Sequence, residues 1–295
     1  MQKKAKLFTE KHFILAWDCP TKVYYSEKSK YYNQSMKTAT VQTNDENKIR
    51  FDASLQNLFP EAIVLQETDL TLNAFTVRKL LTQKKIEIIN GCVQVGYFSF
   101  RFDYLKKVGN TCFIYDFCDN KWDLENDTFL NNNISKLIKK SWESQIATQA
   151  FKEKVFKLGW PYLRMIPNFL LINKKWDDEL VLVSVENECR LLKNKKFRYG
   201  LGFHEQVNLW HLKYLKDKKV APELSSKCHS CQFKNTDHSA KEGYRDGCGE
   251  CIRDIQKLEN KLLERPKNID YYGFSGTRLE TIISDIMELR SKAGK

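Results

Sequence analysis

The stretch KCHSCQFKNTDHSAKEGYRDGCGECIRD, residues 227–254, holds two C-x-x-C pairs, Cys228 with Cys231 and Cys248 with Cys251. Two thiolate knuckles this close in sequence have the spacing of a zinc ribbon, able to close one tetrahedral site. A fifth cysteine competes for the role. Cys19, followed by Pro20 in FILAWDCPTKVYY, lies far upstream in a setting that also invites a ligand. If Cys19 joins the group, the metal crosslinks the N-terminal helix to the C-terminal region instead of closing a local ribbon.

Metal is the better reading of these thiols than disulfides, because the chain reads as cytoplasmic and paired thiols in a reducing compartment more often bind metal. The opening residues are basic, but the apolar stretch behind them is only about six residues, short for a secretory signal. The longest uninterrupted apolar runs, such as FLLI at 169–172, fall far below membrane-spanning length, so no membrane partner is expected. A content of 42% hydrophobic residues over 295 positions supports a sizeable core. The formal charge of +12 favours a polyanion such as DNA, although a lysine- and asparagine-rich composition yields a basic protein without any such partner.

Periodicity divides the chain at 1–85, 86–215 and 216–295. The first part reads as helical, with a helix through TEKHFILAWDC, a turn at Pro20, and a basic, tyrosine-rich stretch TKVYYSEKSKYYNQ as either a nucleic-acid-facing loop or a solvated face. A helix and short strand are expected in LQNLFPEAIVLQ, and a helix in LNAFTVRKLLTQKK. From 86 the pattern becomes β. IEIINGCVQV and YFSFRFDYL are strands, the second placing Phe98, Phe100, Phe102 and Tyr104 on one face and Ser99, Arg101 and Asp103 on the other. After a VGN turn, TCFIYDFC places Cys112, Ile114, Asp116 and Cys118 on one side. A long helix over NNISKLIKKSWESQIATQAFKEKVFKLG carries Gln149 on its buried side, where a polar group needs a partner. NFLLIN and ELVLVSV read as strands, GLGFHEQVNLWHLKYLKD as a helix. The fold class is α/β, a central mixed sheet flanked by helices with a cysteine-rich C-terminal region.

Asp103 and Asp116 therefore lie on adjacent strands, and two such carboxylates can share a divalent cation, Mg or Mn, of the kind that assists phosphodiester hydrolysis. The bland alternative pairs Asp103 with Arg101 and leaves Asp116 an exposed strand residue. Cys92, Cys112 and Cys189 read as small buried hydrophobes in strands or at their edges. His229 and His238 read as loop residues beside the thiols, and Trp17, Trp142, Trp160 and Trp210 as core.

FILAWDCPTKVYY, RFDYL, FIYDFC, the TQAF helix and CHSCQFK…DGCGEC, in that order over about residues 10 to 255, resemble the iron–sulfur branch of the PD-(D/E)XK nucleases. That branch includes the RecB-like CRISPR-associated exonucleases, the AddB nuclease domain and a related uncharacterised bacterial domain family. The resemblance implies a restriction-endonuclease-like core in the 86–215 region and a [4Fe–4S] cluster held by Cys19, Cys228, Cys231 and Cys251, with Cys248 surplus. Zinc on Cys228, Cys231, Cys248 and Cys251 remains the alternative, since four thiolates satisfy either. It further implies Asp103 and Asp116 as ligands of Mg or Mn, Gln149 as a supporting residue, and DNA as substrate in repair, recombination or defence, with protein partners in a DNA-processing complex.

The resemblance departs from the family at two positions. The family's catalytic lysine, two residues after the second acid, is replaced by Cys118, a neutral thiol that cannot supply the positive charge. Asn90 stands where relatives often carry a further glutamate. Lys121 or Lys152 could supply a migrated ammonium. The expectation is therefore a metal-dependent deoxyribonuclease with attenuated activity, or alternatively a catalytically degenerate nuclease fold that binds nucleic acid or protein; a zinc-ribbon protein of unrelated chemistry is the third reading.

Overall fold

The computed structural model describes residues 6–31, 33, 53–66, 69–122, 143–173, 179–197, 200–222, 228, 230–235 and 243–263, with the backbone alone for 118–122, 171–173, 179–181 and 258–263. The chain divides into two compact units, Met1–Ile252 and Arg253–Lys295. All the strands and the five cysteines singled out above belong to the first.

A short β1 (Phe8–Thr9) leads into α1 (Glu10–Asp18), whose start is fixed by the Thr9 N–H donating to His12 Nδ1 at 3.0 Å. Cys19 then adopts an extended backbone, φ −158 and ψ 116, and Pro20 opens α2 (Pro20–Ser26). Proline suits a first helical position because its missing N–H would have had no partner there. The tyrosine-rich segment is thus helical at its start, not a loop. Tyr25 and Tyr31 are buried with Phe233, so their apolar area holds the cysteine-rich region in place.

After α3 (53–58), β2 (Ile63–Val64) and α4 (Leu70–Leu80), the chain enters a meander of β3 (Lys85–Val95), β4 (Phe98–Val108) and β5 (Thr111–Trp122). Both connections are two residues long and each places a glycine in the left-handed region, Gly96 at φ +57 and Gly109 at φ +58, which the twist of a tight hairpin favours. α5 (Glu143–Gly159) then crosses to β6 (Arg164–Asn173), parallel to β5, and β7 (Glu179–Ser184) returns antiparallel. The sheet order is β2-β3-β4-β5-β6-β7, with β1 parallel to β4 off this path. α6 (Glu186–Lys193), α7 (Phe203–Leu215) and α7's successor α8 (Gly247–Leu263) complete the chain.

One face of the sheet carries the main core, where Phe13 of α1 stacks on Phe151 of α5 with centroids 4.6 Å apart, and Phe98, Phe100 and Phe102 of β4 join them. The opposite face carries Leu55, Ile89, Tyr104, Tyr115 and Leu170, with Phe59 stacked on Tyr104. Helices cover both faces, as the α/β expectation requires.

Tyr104 is a correction to the alternation expected for β4. Phe102 and Leu105 face the main core whereas Tyr104 faces the other way, and on β3 Ile88 and Val93 show the same change of phase. The two strands keep one register from Lys85↔Val108 to Val95↔Phe98, without a bridge between Asn90 and Asp103. Asn90 stands at φ +61, a strained region for a non-glycine residue. The irregularity is stitched by Asn73 of α4, which donates to Asn90 O at 3.2 Å and accepts from Cys92 N at 2.7 Å. At the next position, Gly91 lies under the Phe102 ring, where an added Cβ would come within 2.0 Å.

Cys189, expected in a strand or at its edge, is in α6, a helix the sequence pattern did not announce; like Cys92 and Cys112 it is buried. The 132–142 part of the long helix, Trp142 included, His229, His238, and the Cys118 and Lys121 side chains lie outside the described residues.

Candidate functional site

The β4–β5 ladder ends at Tyr104↔Tyr115, while β5 continues along β6 through Asp116↔Phe169 and Phe117↔Leu170. Beyond that point no further β4–β5 residue pairing is formed among the described residues. The Asp103 carboxylate fills the gap, its Oδ2 accepting from Phe117 N at 2.7 Å. A backbone donor left unpaired there would cost about 1–3 kcal/mol, so Asp103 has a structural task as well as a chemical one.

Asp116 projects from β5 toward α5, which meets it with two side chains three residues apart and therefore on one helical face. Gln149 donates from Nε2 to Asp116 Oδ2 at 2.5 Å. Lys152 places its Nζ against the same oxygen, donates to Arg101 O at 2.6 Å, and lies 3.2 Å from Glu10 Oε2 in the first turn of α1. The Lys152 side chain is only 3% exposed. β4, β5, α1 and α5 thus each contribute to one small acidic and basic group. Asp103 stands near enough to Asp116 to act on its charge, Gln149 bonds to Asp116, and Lys152 reaches the same carboxylate from α5.

The electrostatics follow from three carboxylates and one ammonium in a poorly hydrated place. Burial, aided by Glu10 and Asp103 and opposed by Lys152, pushes the Asp116 carboxyl up to about 7. Burial works against the charge on Lys152, but Asp116 and Glu10 outweigh it and hold its pKa above the usual lysine value. Gln149 Oε1 is buried and makes no hydrogen bond. An orphaned acceptor beside carboxylates suits a water, or a hard cation that takes oxygen donors.

Glu10 and the placement of Lys152 are what sequence reasoning did not single out. The signal was present in both helices. Glu10 lies at i, i+3 and i+7 with Phe13 and Trp17, and Lys152 in the same way with Phe156 four positions on, so each is a charge on a buried stripe.

The thiols gather elsewhere in the same unit. Cys19 is half-buried at the α1–α2 junction, Cys231 N donates to Cys228 O at 3.4 Å, and Cys248 and Cys251 open α8. A hydrogen bond from Cys248 draws the Cys231 thiol down to about 6, and the same bond pushes Cys248 up. Burial pushes Cys251 up, with Cys19 and Cys231 adding to it, while the Tyr25 hydroxyl, 3.5 Å from its sulfur, opposes. Cys248 also feels the charge of Cys228. Cys248 therefore sits among the other thiols and not apart from them. The soft donors suit zinc or an iron–sulfur cluster. Among the described residues, no three His, Cys, Asp or Glu side chains stand in metal-binding geometry, at the thiols or at the acids.

No helix among the described residues is long and apolar enough to cross a membrane. No protein-family model matches the chain. No curated protein matches it. Several solved chains are similar to it, two of which are as follows. The crystal structure of SSO0001 shares 10% identity over 79% of this chain and 86% of that one, at a TM-score of 0.28. An alkaline exonuclease, LHK-Exo from Laribacter hongkongensis, shares 14% identity over 72% of this chain and 89% of that one, also at 0.28.

Proposed function

We propose that this chain is a metal-dependent DNA nuclease in which Lys152 on α5 replaces the strand lysine of the PD-(D/E)XK pattern. The observation that supports this is the Lys152 ammonium in contact with Asp116, in a centre where the β5 position two residues on is Cys118. A long side chain reaches one point from more than one backbone position, so a helix can deliver the charge that the strand does not.

In this reading Asp103, Asp116 and Glu10 would hold Mg or Mn, which supplies activation of water and neutralisation of charge developing on the phosphate. Asp116 must lose its proton to serve. Lys152 provides a fixed positive charge to the scissile phosphate, and Gln149 Oε1 accepts from the attacking water and orients it. Asp103 keeps the β4–β5 opening in shape through Phe117 N, so the acids meet at one place.

Cys19, Cys228, Cys231 and Cys251 are proposed as the ligands of a [4Fe–4S] cluster, with zinc on Cys228, Cys231, Cys248 and Cys251 as the other outcome. Either would tie α8 to the region of α2, where Tyr25 already meets Cys251. Repair, recombination and defence are the settings such a nuclease fits.

A second reading has its own observation. Lys152 already neutralises part of the acidic group, and no metal-binding geometry is formed among the described residues, as in a centre kept as a structural ion network in a binding module. Incubating the purified full chain with linear DNA and Mg or Mn separates the two. Cleavage that is lost in Asp116→Asn supports the nuclease. Salt-dependent DNA binding without cleavage supports the binding module, and absence of both removes nucleic acid from the account.

A further inference from the structure

Shortly after Lys152, α5 buries a second lysine that the fold treats differently. Lys154 is 7% exposed, yet among the described residues it has neither a hydrogen bond nor an ion pair, and its Nζ lies 5.6 Å from the centre of the Phe98 ring. The carboxylate beside it in sequence, Glu153, is already held by Lys193 at 2.6 Å and Lys157 at 2.9 Å. His211 of α7 meets the same Phe98 ring, with centroids 4.1 Å apart, and its Nε2 is enclosed without a hydrogen-bond partner. Lys154 Nζ is not enclosed in that way and still meets solvent at its tip. His204 shares the side of α7 that carries His211, being seven residues earlier, and is exposed.

We infer that Lys154 and His211 form a binding site for a phosphoryl group, separate from the acidic centre and independent of its reading as a nuclease. Each offers an N–H donor that lacks an acceptor, His211 in the form that carries its hydrogen on Nε2, and the two come from different helices onto one ring. A tetrahedral oxyanion has oxygens enough to accept from both, through charge-assisted bonds. Burial lowers the Lys154 pKa, and burial together with the Lys154 charge lowers those of His204 and His211. His204 also feels Lys193 and Lys157 against Glu153, so cations prevail around the site. A bound phosphate opposes every one of these effects, since an anion favours the charged form of amine and imidazole alike. A lysine that only lays its stem on Phe98 and points its tip to water would need no anion. The enclosed His211 nitrogen is not explained in that way, because a buried polar atom calls for a partner.

The test is NMR of the His211 ring in the metal-free full chain, with its signal assigned through His211→Gln. Inorganic phosphate is titrated against sodium chloride of equal ionic strength. Phosphate should move the His211 signal and carry its titration to higher pH, and chloride should do neither. Lys154→Met keeps the stem, removes the charge, and should preserve the fold while weakening phosphate binding about tenfold or more.

A short oligonucleotide without terminal phosphates identifies the source of the group. Movement of the His211 signal with inorganic phosphate assigns the site to free phosphate or a phosphomonoester, and movement with the oligonucleotide alone assigns it to backbone phosphodiesters; both uphold the site provided that Lys154→Met weakens them. No movement with either probe, equal movement with chloride, or binding unchanged in Lys154→Met would overturn the inference. No cleavage is read, so its failure is separable from that of the nuclease reading.

Discussion

The Lys152 ammonium lies against the Asp116 carboxylate, joining α5 to β5 at the point where β5 has parted from β4. Each side chain would be unfavourable alone in so dry a place. Together, with Arg101 O and Gln149 completing the hydrogen bonds, they compensate most of each other's desolvation.

Removing one member should therefore cost more than the pair contributes. Lys152→Ala should destabilise the fold by about 3–5 kcal/mol in denaturant titration, because Asp116 and Glu10 lose the ammonium they share. The double variant Lys152→Met with Asp116→Asn should recover much of that loss. A single-variant cost below about 1 kcal/mol would mean that water reaches the group freely.

The raised Asp116 pKa gives a signed pH dependence. The folded protein holds this proton more tightly than the unfolded chain, whose carboxyl titrates near 3.8. Its contribution favours the fold below that value and is lost as pH rises toward about 7. Melting temperature should decline over that window for wild type and less for Asp116→Asn. Stabilisation by Mn should grow over the same window, because binding has to displace the proton.

Asp103→Ala should cost about 1–3 kcal/mol in the metal-free protein, through loss of the bond that Phe117 N donates to Asp103, and Asp103→Asn should recover part of it. Hydrogen exchange at Phe117 reads this directly. Protection unchanged in Asp103→Ala would show that another acceptor serves that amide.

Purified without oxygen, the chain should show visible absorption of an iron–sulfur cluster and contain iron. Cys19→Ala should bleach it and lower the melting temperature, since the crosslink between α1 and α8 is lost with it, whereas Cys248→Ala should leave the absorption in place. Colourless protein with one zinc, insensitive to Cys19→Ala, would assign the site to the four local cysteines instead.

Much of this fold is written in local chemistry. Two-residue alternation over β5 separates Cys112 and Ile114 from Phe113, Tyr115 and Phe117, because each strand buries one residue set on each face of the sheet. The same rule misplaces Tyr104. The left-handed Asn90, held by Asn73 from the preceding helix α4, resets the phase of both strands, and no window of β4 alone contains that information. Asp103, Asp116 and Gln149 were legible as candidates from strand and helix position. Glu10 was not singled out, because an acid in a first helical turn already has a local explanation in the helix dipole. Lys152 was legible as a candidate and no more, since only the packing of α5 against β5 decides which lysine reaches the acid.

That placement is the central claim, and single-turnover DNA cleavage with Mn tests it most directly in wild type, Lys152→Ala, and Lys152→Ala combined with Cys118→Lys. The account predicts cleavage by wild type, a loss of about a hundredfold or more in Lys152→Ala, and partial recovery when the lysine is returned to the strand. Cleavage by Lys152→Ala at the wild-type rate would contradict it.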